Sequence, residues 1–293
     1  MSVNLNSLTT YVDENKLDLI AKAILGARTS KHLNLQTGIK GATTLNLLDT
    51  NVVFGDGSTC GWNEAGTQTI SQRTLTPVPL KVNMSYCDKA MLKYFMNNEV
   101  NVAAGRENLP FESKFISEVL KSIDSKIDDI IWNGIKIGST TYKGLLGIAA
   151  EGAVTATAGT TAYGAVRNVY GAIPAGSLET TKIFVGMDTY RNLIMELTEK
   201  NLFHYKEQVE STYEFILPGT TTTVVGVPGL NGTKKVVALN TEHTVYGVDM
   251  QSDAETFDFW YSKDNQEFRL AVDFLVGVQV AYLDEMVVGS IGE

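Results

Sequence analysis

The feature that most constrains the fold is a long run of strict alternation near the C-terminus. From Phe268 to Tyr282 every even-numbered position is apolar, whereas the odd positions include Arg269, Asp273 and Gln279. Because side chains of a strand alternate between its two faces, this period of two predicts a single β-strand with one buried face. At about 3.3 Å per residue the strand would reach roughly 50 Å, well beyond the usual strand length.

A helix of comparable reach is predicted from about Asn108 to Trp132. Pro110 is typical of a helix entrance, and Asn133 with Gly134 supplies a left-handed exit. Between these signals, apolar residues recur at spacings of three or four and form one stripe that should face a core: Phe111, Phe115, Val119, Ile123, Ile127 and Ile130. Such a helix would span roughly 35 Å.

The chain between these two long elements has a different pattern. A length of 293 residues favours about two domains. Residues 162–172 predict a helix, Lys182 to Val185 a short buried strand, and Asp188 the N-cap of a further helix. The sequence therefore predicts an α+β fold in which an elongated first domain contains the long helix and the long strand, and a second domain is inserted between them.

A polar, glycine-spaced stretch precedes the long helix. Gly55, Gly57, Gly61 and Gly66 are set among Thr, Ser, Gln and Asn, and the only large apolar residues are Phe54 and Trp62. We interpret this stretch as the tip of a projecting hairpin formed by extended segments on either side. Because it cannot bury enough apolar surface to order itself, it is either a loose insertion on a monomer or a segment held by another surface.

The N-terminus predicts a short helix. Leu17, Ile20 and Ile24 fall on one face, Asp13 is the expected N-cap and Gly26 the expected stop. Because a helix this short is marginal alone, we expect its apolar face to dock on something.

Charge and cysteine content restrict the functional classes. A net charge of -9 argues against a protein whose main task is to grip a phosphate backbone. Cys60 and Cys87 are the only cysteines, and no secretory leader is recognisable, which favours an intracellular, reducing setting with free thiols. The apolar segment from Ala271 to Leu283 is too short and too interrupted to cross a bilayer, so no membrane span is expected.

No pattern of catalytic or metal-binding residues stands out. The three histidines, His32, His204 and His243, lie in no recognisable motif. Adjacent carboxylates occur twice. We expect Asp128 and Asp129 to form a solvated edge of the long helix, and Asp284 with Glu285 to lie at an exposed strand end. The sequence predicts no catalytic residue, no metal ligand, no cofactor site and no cofactor.

The order of several motifs resembles a known family. Cys60-Gly61-Trp62-Asn63-Glu64-Ala65-Gly66, the return segment Pro79 to Ser85, and the long helix ending in Trp132-Asn133-Gly134 resemble the major capsid proteins of tailed bacteriophages with the Hong Kong 97 fold. The turn Lys143 to Ile148 and the strand Phe268 to Asp273 follow in the same order. The resemblance covers nearly the whole chain from about residue 30, and the order of the motifs is its specific part.

The resemblance implies a division of the chain. Residues 1–30 would be an N-terminal arm, 31–82 an extended β-hairpin loop, 83–145 with 241–293 the peripheral domain with its long spine helix and long strands, and 146–240 an inserted axial domain. Inter-subunit contacts would come from the extended loop and the arm, through Phe54, Gly55, Gly57, Trp62, Glu64, Gly66 and Arg73 and through Leu17, Ile20 and Ile24.

The implied function is structural and not enzymatic. The protein would assemble as hexamers and pentamers into the icosahedral shell of a virion, inside the host bacterial cytoplasm, and enclose double-stranded DNA that it contacts non-specifically. A separate scaffolding protein, a portal and decoration proteins are the implied partners. The alternative is the shell protein of an encapsulin-type bacterial compartment, which has the same fold and encloses protein cargo.

Overall fold

The computed structural model describes residues 6–54, 58, 60, 66–87, 111–200, 213–249 and 256–292. Its helices are α1 (Asn6–Leu25), α2 (Phe111–Asn133), α3 (Leu145–Ala149), α4 (Ala162–Ala172) and α5 (Met187–Glu199). Its strands are β1 (Asn34–Thr37), β2 (Thr43–Asn51), β3 (Thr67–Leu75), β4 (Val78–Cys87), β5 (Ile135–Ile137), β6 (Thr140–Tyr142), β7 (Val154–Thr155), β8 (Thr181–Gly186), β9 (Glu214–Ile216), β10 (Thr223–Val227), β11 (Lys235–Asn240), β12 (Thr244–Val248), β13 (Thr256–Ser262), β14 (Glu267–Val280) and β15 (Val287–Ser290).

The alternating C-terminal run forms β14, the central strand of a five-stranded sheet. β14 pairs antiparallel with β4, β12 and β13, and β1 lies parallel to β12 on the far side. The even positions from Phe268 to Val280 are buried, which confirms the predicted period of two, although the strand ends at Val280 and excludes Tyr282. The buried face of β14 is therefore the face on which the pleat places its even-numbered residues.

The long helix α2 contributes its apolar stripe to the same core. Val119, Ile123 and Ile127 are buried, as predicted, and Trp132 is fully buried at the end of the helix. α1 contacts both α2 and β13. The side chains of Phe111 and Phe115 lie outside the described residues. No helix in the described ranges is both long and apolar enough to cross a membrane.

Five strands of the inserted segment and β15 from the C-terminal segment form a six-stranded mixed sheet in the order β7-β15-β11-β8-β10-β9. Helices α4 and α5 cover one face, where Ile183 and Val185 of β8 lie in a second hydrophobic core. Phe184 points the opposite way and packs on Trp132 of α2, with ring centroids 5.4 Å apart. Because both faces are covered, β8 reads in sequence as a continuous apolar run.

Two helix starts differ from the prediction. α1 begins at Asn6, so Asp13 lies inside the helix and is not its N-cap, whereas the stop before Gly26 is confirmed. α5 has Gly186 at its N-cap, and the Met187 N–H donates to the side-chain oxygen of Asn231 at 2.7 Å. Asp188 therefore lies in the first turn, where its carboxylate accepts the Gly232 N–H at 3.0 Å. The sequence also predicts a short helix between residues 85 and 100; most of this range lies outside the described residues, and its first positions belong to β4.

Asp124 on α2 is placed against the C-terminal end of α1. A side chain at Gly26 would overlap both the Asp124 carboxylate and the Lys22 carbonyl, so the carboxylate faces the last turn of α1. One Asp124 oxygen is buried without a hydrogen-bond partner. Burial raises the pKa of Asp124 to about 6, Lys31 opposes the rise, and Asp128 adds to it. An ionised carboxylate at the negative end of a helix is unfavourable.

The pH dependence of folding should report this contact. Because the pKa of Asp124 is higher in the folded than in the unfolded chain, its stabilising contribution is fully present below about pH 4 and is lost as pH rises through about 6. We expect Asp124→Asn to stabilise the subunit at pH 7.5 by about 1 to 2 kcal/mol, allowing for partial exposure, and to change little at pH 4. Urea unfolding at both pH values measures this, with exposed Glu118→Gln as the control. An equal effect at both pH values would contradict it.

Substitution within the buried stripe tests the placement of α2. We expect Ile123→Asp to destabilise the subunit by about 3 kcal/mol or more, because Ile123 is 5% exposed and an unpaired charge would be buried there. Thermal unfolding measures the effect. Ser125→Asp, two positions along on the exposed side of the same helix, should change the melting temperature little. An unchanged melting temperature for Ile123→Asp would refute the assignment.

Candidate functional site

The hairpin of β2 and β3 is exposed along most of its length. The two strands pair antiparallel from Thr43 opposite Leu75 to Asn51 opposite Thr67. Every residue from 66 to 72 is exposed, and β2 is exposed from Leu48 onward. An isolated two-stranded ribbon has little apolar face to bury, so the described part of this hairpin lacks the cover that the five-stranded and six-stranded sheets have.

Apolar side chains are concentrated on this uncovered hairpin. Leu48 is 57% exposed and lies directly opposite Ile70, which is 73% exposed. Beyond β2, Val52 is 68% exposed and Phe54 is 95% exposed. Clustered apolar groups on a projecting element mark a surface that another protein surface can cover. These apolar side chains can contribute to binding by being buried against such a surface.

The residues predicted as loop contacts are found in different places. Phe54 and Gly66 flank the hairpin tip, and a side chain at Gly66 would approach the Asn51 carbonyl oxygen to 2.8 Å. Gly55, Gly57, Trp62 and Glu64 lie outside the described residues. Arg73 lies at the base of the hairpin and not at its tip. The contact roles of this set stay predictions.

The base of the hairpin is fixed to the body by a small apolar cluster. Leu75 is fully buried with Ile39 and Val245, and Leu45 packs against them. Leu75 and Ile39 lie directly on Gly247, where an added side chain would overlap both. Close approach of this kind requires glycine, so the β12 backbone at Gly247 forms, with Ile39 and Val245, the apolar seat of Leu75.

A polar group surrounds the same base. Arg73 donates to Glu151 at 2.9 Å and to the Gln279 side-chain oxygen at 3.3 Å, and Lys143 donates to the second Glu151 oxygen at 2.7 Å. The hydrogen bond from Lys143 lowers the pKa of Glu151, burial opposes this effect, and the charges of Lys143 and Arg73 lower the pKa further. The Tyr282 hydroxyl donates to the Leu48 carbonyl at 3.2 Å.

The N-terminal helix is packed within its own chain. Ile24 is fully buried, and the buried Tyr246 hydroxyl donates to its carbonyl oxygen at 3.1 Å. The side chains of Leu17 and Ile20 lie outside the described residues. The predicted role of these residues in contacts between copies stays a prediction, whereas the expected docking of the helix face is confirmed for Ile24.

The expectation that Asp128 is solvated was wrong. Asp128 is fully buried, and its two carboxylate oxygens accept the backbone N–H groups of Thr29 and Gly229, each at 2.8 Å. Trp132 donates its indole N–H to the Thr29 hydroxyl at 2.7 Å. Burial raises the pKa of Asp128, and the hydrogen bonds from Thr29 and Gly229 oppose the rise. Neighbouring Asp129 is exposed, as expected.

His32 joins the segment after α1 to the six-stranded sheet. Its Nδ1 lies 3.1 Å from Lys182 Nζ and its Nε2 lies 3.3 Å from a Glu214 oxygen. Burial lowers the pKa of His32, the Lys182 charge lowers it further, and Glu214 opposes both. A neutral imidazole that accepts from Lys182 and donates to Glu214 satisfies all three groups. This arrangement is a structural joint and not an activated base.

His243 and Glu285 also form a structural pair. His243 Nδ1 lies 2.5 Å from Glu285, and Asn240 donates to the same oxygen at 2.9 Å. Glu285 is therefore paired and not free at an exposed end, whereas Asp284 is exposed. His204 lies outside the described residues.

Within the part of the chain that the structure describes, no three His, Cys, Asp or Glu side chains are grouped as metal ligands. Both cysteines are free and exposed.

Sequence comparison identifies no relative. No protein-family profile matches the chain, and no curated protein is similar to it. The similarity to known proteins lies in the three-dimensional path of the chain.

Solved capsid structures share this path over most of their length. The satellite phage P4 procapsid, which includes the size determination protein Sid, matches with a TM-score of 0.61 and 9% identity over 94% of this chain and 90% of that chain. The Microbacterium phage Oxtober96 structure matches with a TM-score of 0.60 and 12% identity over 90% of each chain. The virus-like particle of Pyrococcus furiosus matches with a TM-score of 0.55 and 11% identity over 94% of this chain and 98% of that chain. The chain therefore has the Hong Kong 97-like fold of capsid shell subunits.

Proposed function

We propose that this protein is the major capsid protein of a tailed double-stranded DNA bacteriophage, which assembles as hexamers and pentamers into an icosahedral shell around the genome. The observation that carries the proposal is the fold shared with the P4 procapsid structure over 94% of this chain. The uncovered hairpin with exposed Leu48, Ile70 and Phe54 supports it, since these groups require a partner surface that neighbouring copies would provide. The role is structural and involves no catalysis or cofactor.

The proposed division of the chain follows the predicted boundaries. Residues 1–30 form the arm, 31–82 the extended loop, 83–145 with 241–293 the peripheral domain, and 146–240 the axial domain. Two features support this division. Five of the six strands of the second sheet come from the inserted segment, whereas β15 belongs to residues 241–293, and the second hydrophobic core is formed almost wholly within the inserted segment.

Contacts with other molecules are proposed on the same basis. Copies of an acidic chain repel one another, so apolar and hydrogen-bonded contacts must drive assembly, and association should depend on salt. The charge of -9 fits a shell that encloses DNA without gripping it. Scaffolding, portal and decoration proteins are the proposed partners, assembly is placed in the host cytoplasm, and the mature location is the virion.

A second candidate is the shell protein of an encapsulin-type compartment that encloses protein cargo. The match to the Pyrococcus furiosus virus-like particle over 98% of that chain favours it. Electron microscopy of purified particles and analysis of their contents test the two candidates. Nucleic acid inside the shells supports the phage capsid, whereas an enclosed enzyme supports the compartment. A compact monomer at all concentrations and salts would overturn both.

Deletion of residues 55–66 tests the role of the hairpin tip. We expect the deleted protein to fold with an unchanged melting temperature, because the described hairpin beyond Arg73 makes few contacts with the body, but to form no shells. Circular dichroism measures the first outcome and electron microscopy the second. Normal shells from this variant would contradict the proposed contact. Deletion of Gly138 and Ser139 from the turn between β5 and β6 controls for the general effect of shortening a hairpin.

A further inference from the structure

We propose that Arg73, Glu151 and Lys143 form an ionic latch that sets the angle at which the β2–β3 hairpin leaves the body. By fixing this angle, the latch aims the exposed apolar residues of the hairpin at a neighbouring copy. The inference rests on the proposed function for its purpose, and the latch itself is a property of the single subunit. Arg73 is thus assigned as a positioning residue, which differs from the direct contact predicted from the sequence.

The latch lies at the border between the covered and uncovered parts of the hairpin. Going toward the tip, Leu75 is fully buried, Arg73 is partly buried, and every residue from 72 to 66 is exposed. Arg73 is thus the outermost described residue of β3 that is held against the body. On the opposite strand, the Tyr282 hydroxyl holds the carbonyl of Leu48, which pairs with Ile70, three residues farther out than Arg73.

Three separate segments meet at the latch. Arg73 belongs to β3, Lys143 precedes α3, and Glu151 follows it. Each Glu151 oxygen takes one cation, Arg73 at 2.9 Å and Lys143 at 2.7 Å. Gln279 of β14 joins the same group: its side-chain oxygen accepts from Arg73 at 3.3 Å, and its side-chain nitrogen donates to the Thr74 carbonyl at 2.8 Å. Removing the Glu151 charge would leave two cations on one side of the hairpin base with no anion between them.

A small change at this position has a large effect at the tip. The six residues of β3 beyond Arg73 extend about 20 Å at about 3.3 Å per residue. A tilt of about 10° at the base would therefore move the outer end of β3 by about 3 Å, which is enough to break a packed contact between side chains. The apolar seat of Leu75 acts as the pivot, and the ionic group limits rotation about it.

The latch is also sensitive to salt. The side chains of Glu151 and Lys143 are 38% and 60% exposed, so dissolved ions reach and screen them. The apolar seat and the hydrogen bonds between neutral groups, from Gln279 to Thr74 and from Tyr282 to Leu48, do not respond to ionic strength in this way. High salt should therefore loosen the angle of the hairpin without unfolding its base.

Distance measurement between two spin labels tests the latch directly. Native Cys87 at the end of β4 is exposed and provides one site, and Thr69→Cys on the exposed part of β3 provides the second, in a chain where Cys60→Ser removes the other thiol. Labelled protein is diluted with excess unlabelled protein so that only distances within a subunit contribute. We expect a narrow distribution at low salt that broadens or shifts by several ångström in Glu151→Gln, and an equal change in the parent at high salt.

The salt response separates positioning from general stability. Glu151→Gln should show the same distribution at low and high salt, because the salt-sensitive contact is already gone, and its melting temperature should stay close to that of the parent. Asp18→Asn removes a different exposed pair, with Lys22 at 2.6 Å on α1, and should leave the distances unchanged. Identical distributions for Glu151→Gln and the parent at low salt would overturn the latch.

The consequence for assembly is measured separately. Electron microscopy should show that Glu151→Gln forms fewer or irregular shells compared with Asp18→Asn. If the parent forms no shells but the label distances respond as expected, then the proposed function fails while the latch stands. If shells form normally in Glu151→Gln despite altered distances, then the latch does not control assembly and this part of the inference is overturned.

Discussion

The buried carboxylate of Asp128 is the interaction on which the rest of the subunit depends. It accepts N–H groups from Thr29 and Gly229, which are 99 and 101 residues away along the chain. A buried ion without partners is very costly, and a hydrogen bond to a charged group contributes roughly 1.5 to 3 kcal/mol. Asp128 is therefore stable only when the N-terminal segment and the loop after β10 are both in place. This requirement makes α2 the element against which both parts are oriented.

Packing around Asp128 leaves little freedom for these parts to move. A side chain at Gly229 would overlap the Asp128 carbonyl and the Trp132 ring, so the loop lies in direct contact with the helix backbone. The Trp132 ring in turn packs on Phe184, which lies on the face of β8 opposite α4 and α5. The six-stranded sheet is thereby joined to α2 through backbone and aromatic contacts that tolerate almost no displacement. A rigid joint of this kind suits a subunit whose copies must all have one shape.

The hairpin contrasts with this rigid body. Its base is seated on Gly247, but its outer part exposes the apolar residues that a folded chain normally buries. An exposed ribbon with Leu48 and Ile70 on the same side is unfavourable in water and becomes favourable once another surface covers it. A fixed body and an uncovered hairpin together are consistent with the proposed contacts between copies. The ionic group at Arg73 lies where these two parts meet.

Local patterns predicted the elements, and distant partners decided the roles of single residues. The strand β14 and the helix α2 follow from periodicities of two and of three to four, and the hairpin of β2 and β3 follows from extended segments on either side of a glycine-spaced stretch, because such patterns need only neighbouring residues to be recognised. Asp128 was misjudged because its two partners are about a hundred residues away. Asn231 accepts the first N–H of α5 from 44 residues away, which no local capping rule would reveal. Arg73 gives no sign in the sequence of pairing with Glu151.

Patterns along the chain are sufficient to locate most of the helices and strands, to identify the apolar face of each, and to give the order of motifs that resembles the Hong Kong 97-like fold. Which polar groups are buried together, and where the hairpin is anchored, depends on contacts between segments that are distant in sequence. The physical reason is that hydrophobic burial is non-directional and leaves a periodic record along the chain, whereas hydrogen bonds and ion pairs are directional and need atoms that only the folded chain brings within about 3 Å.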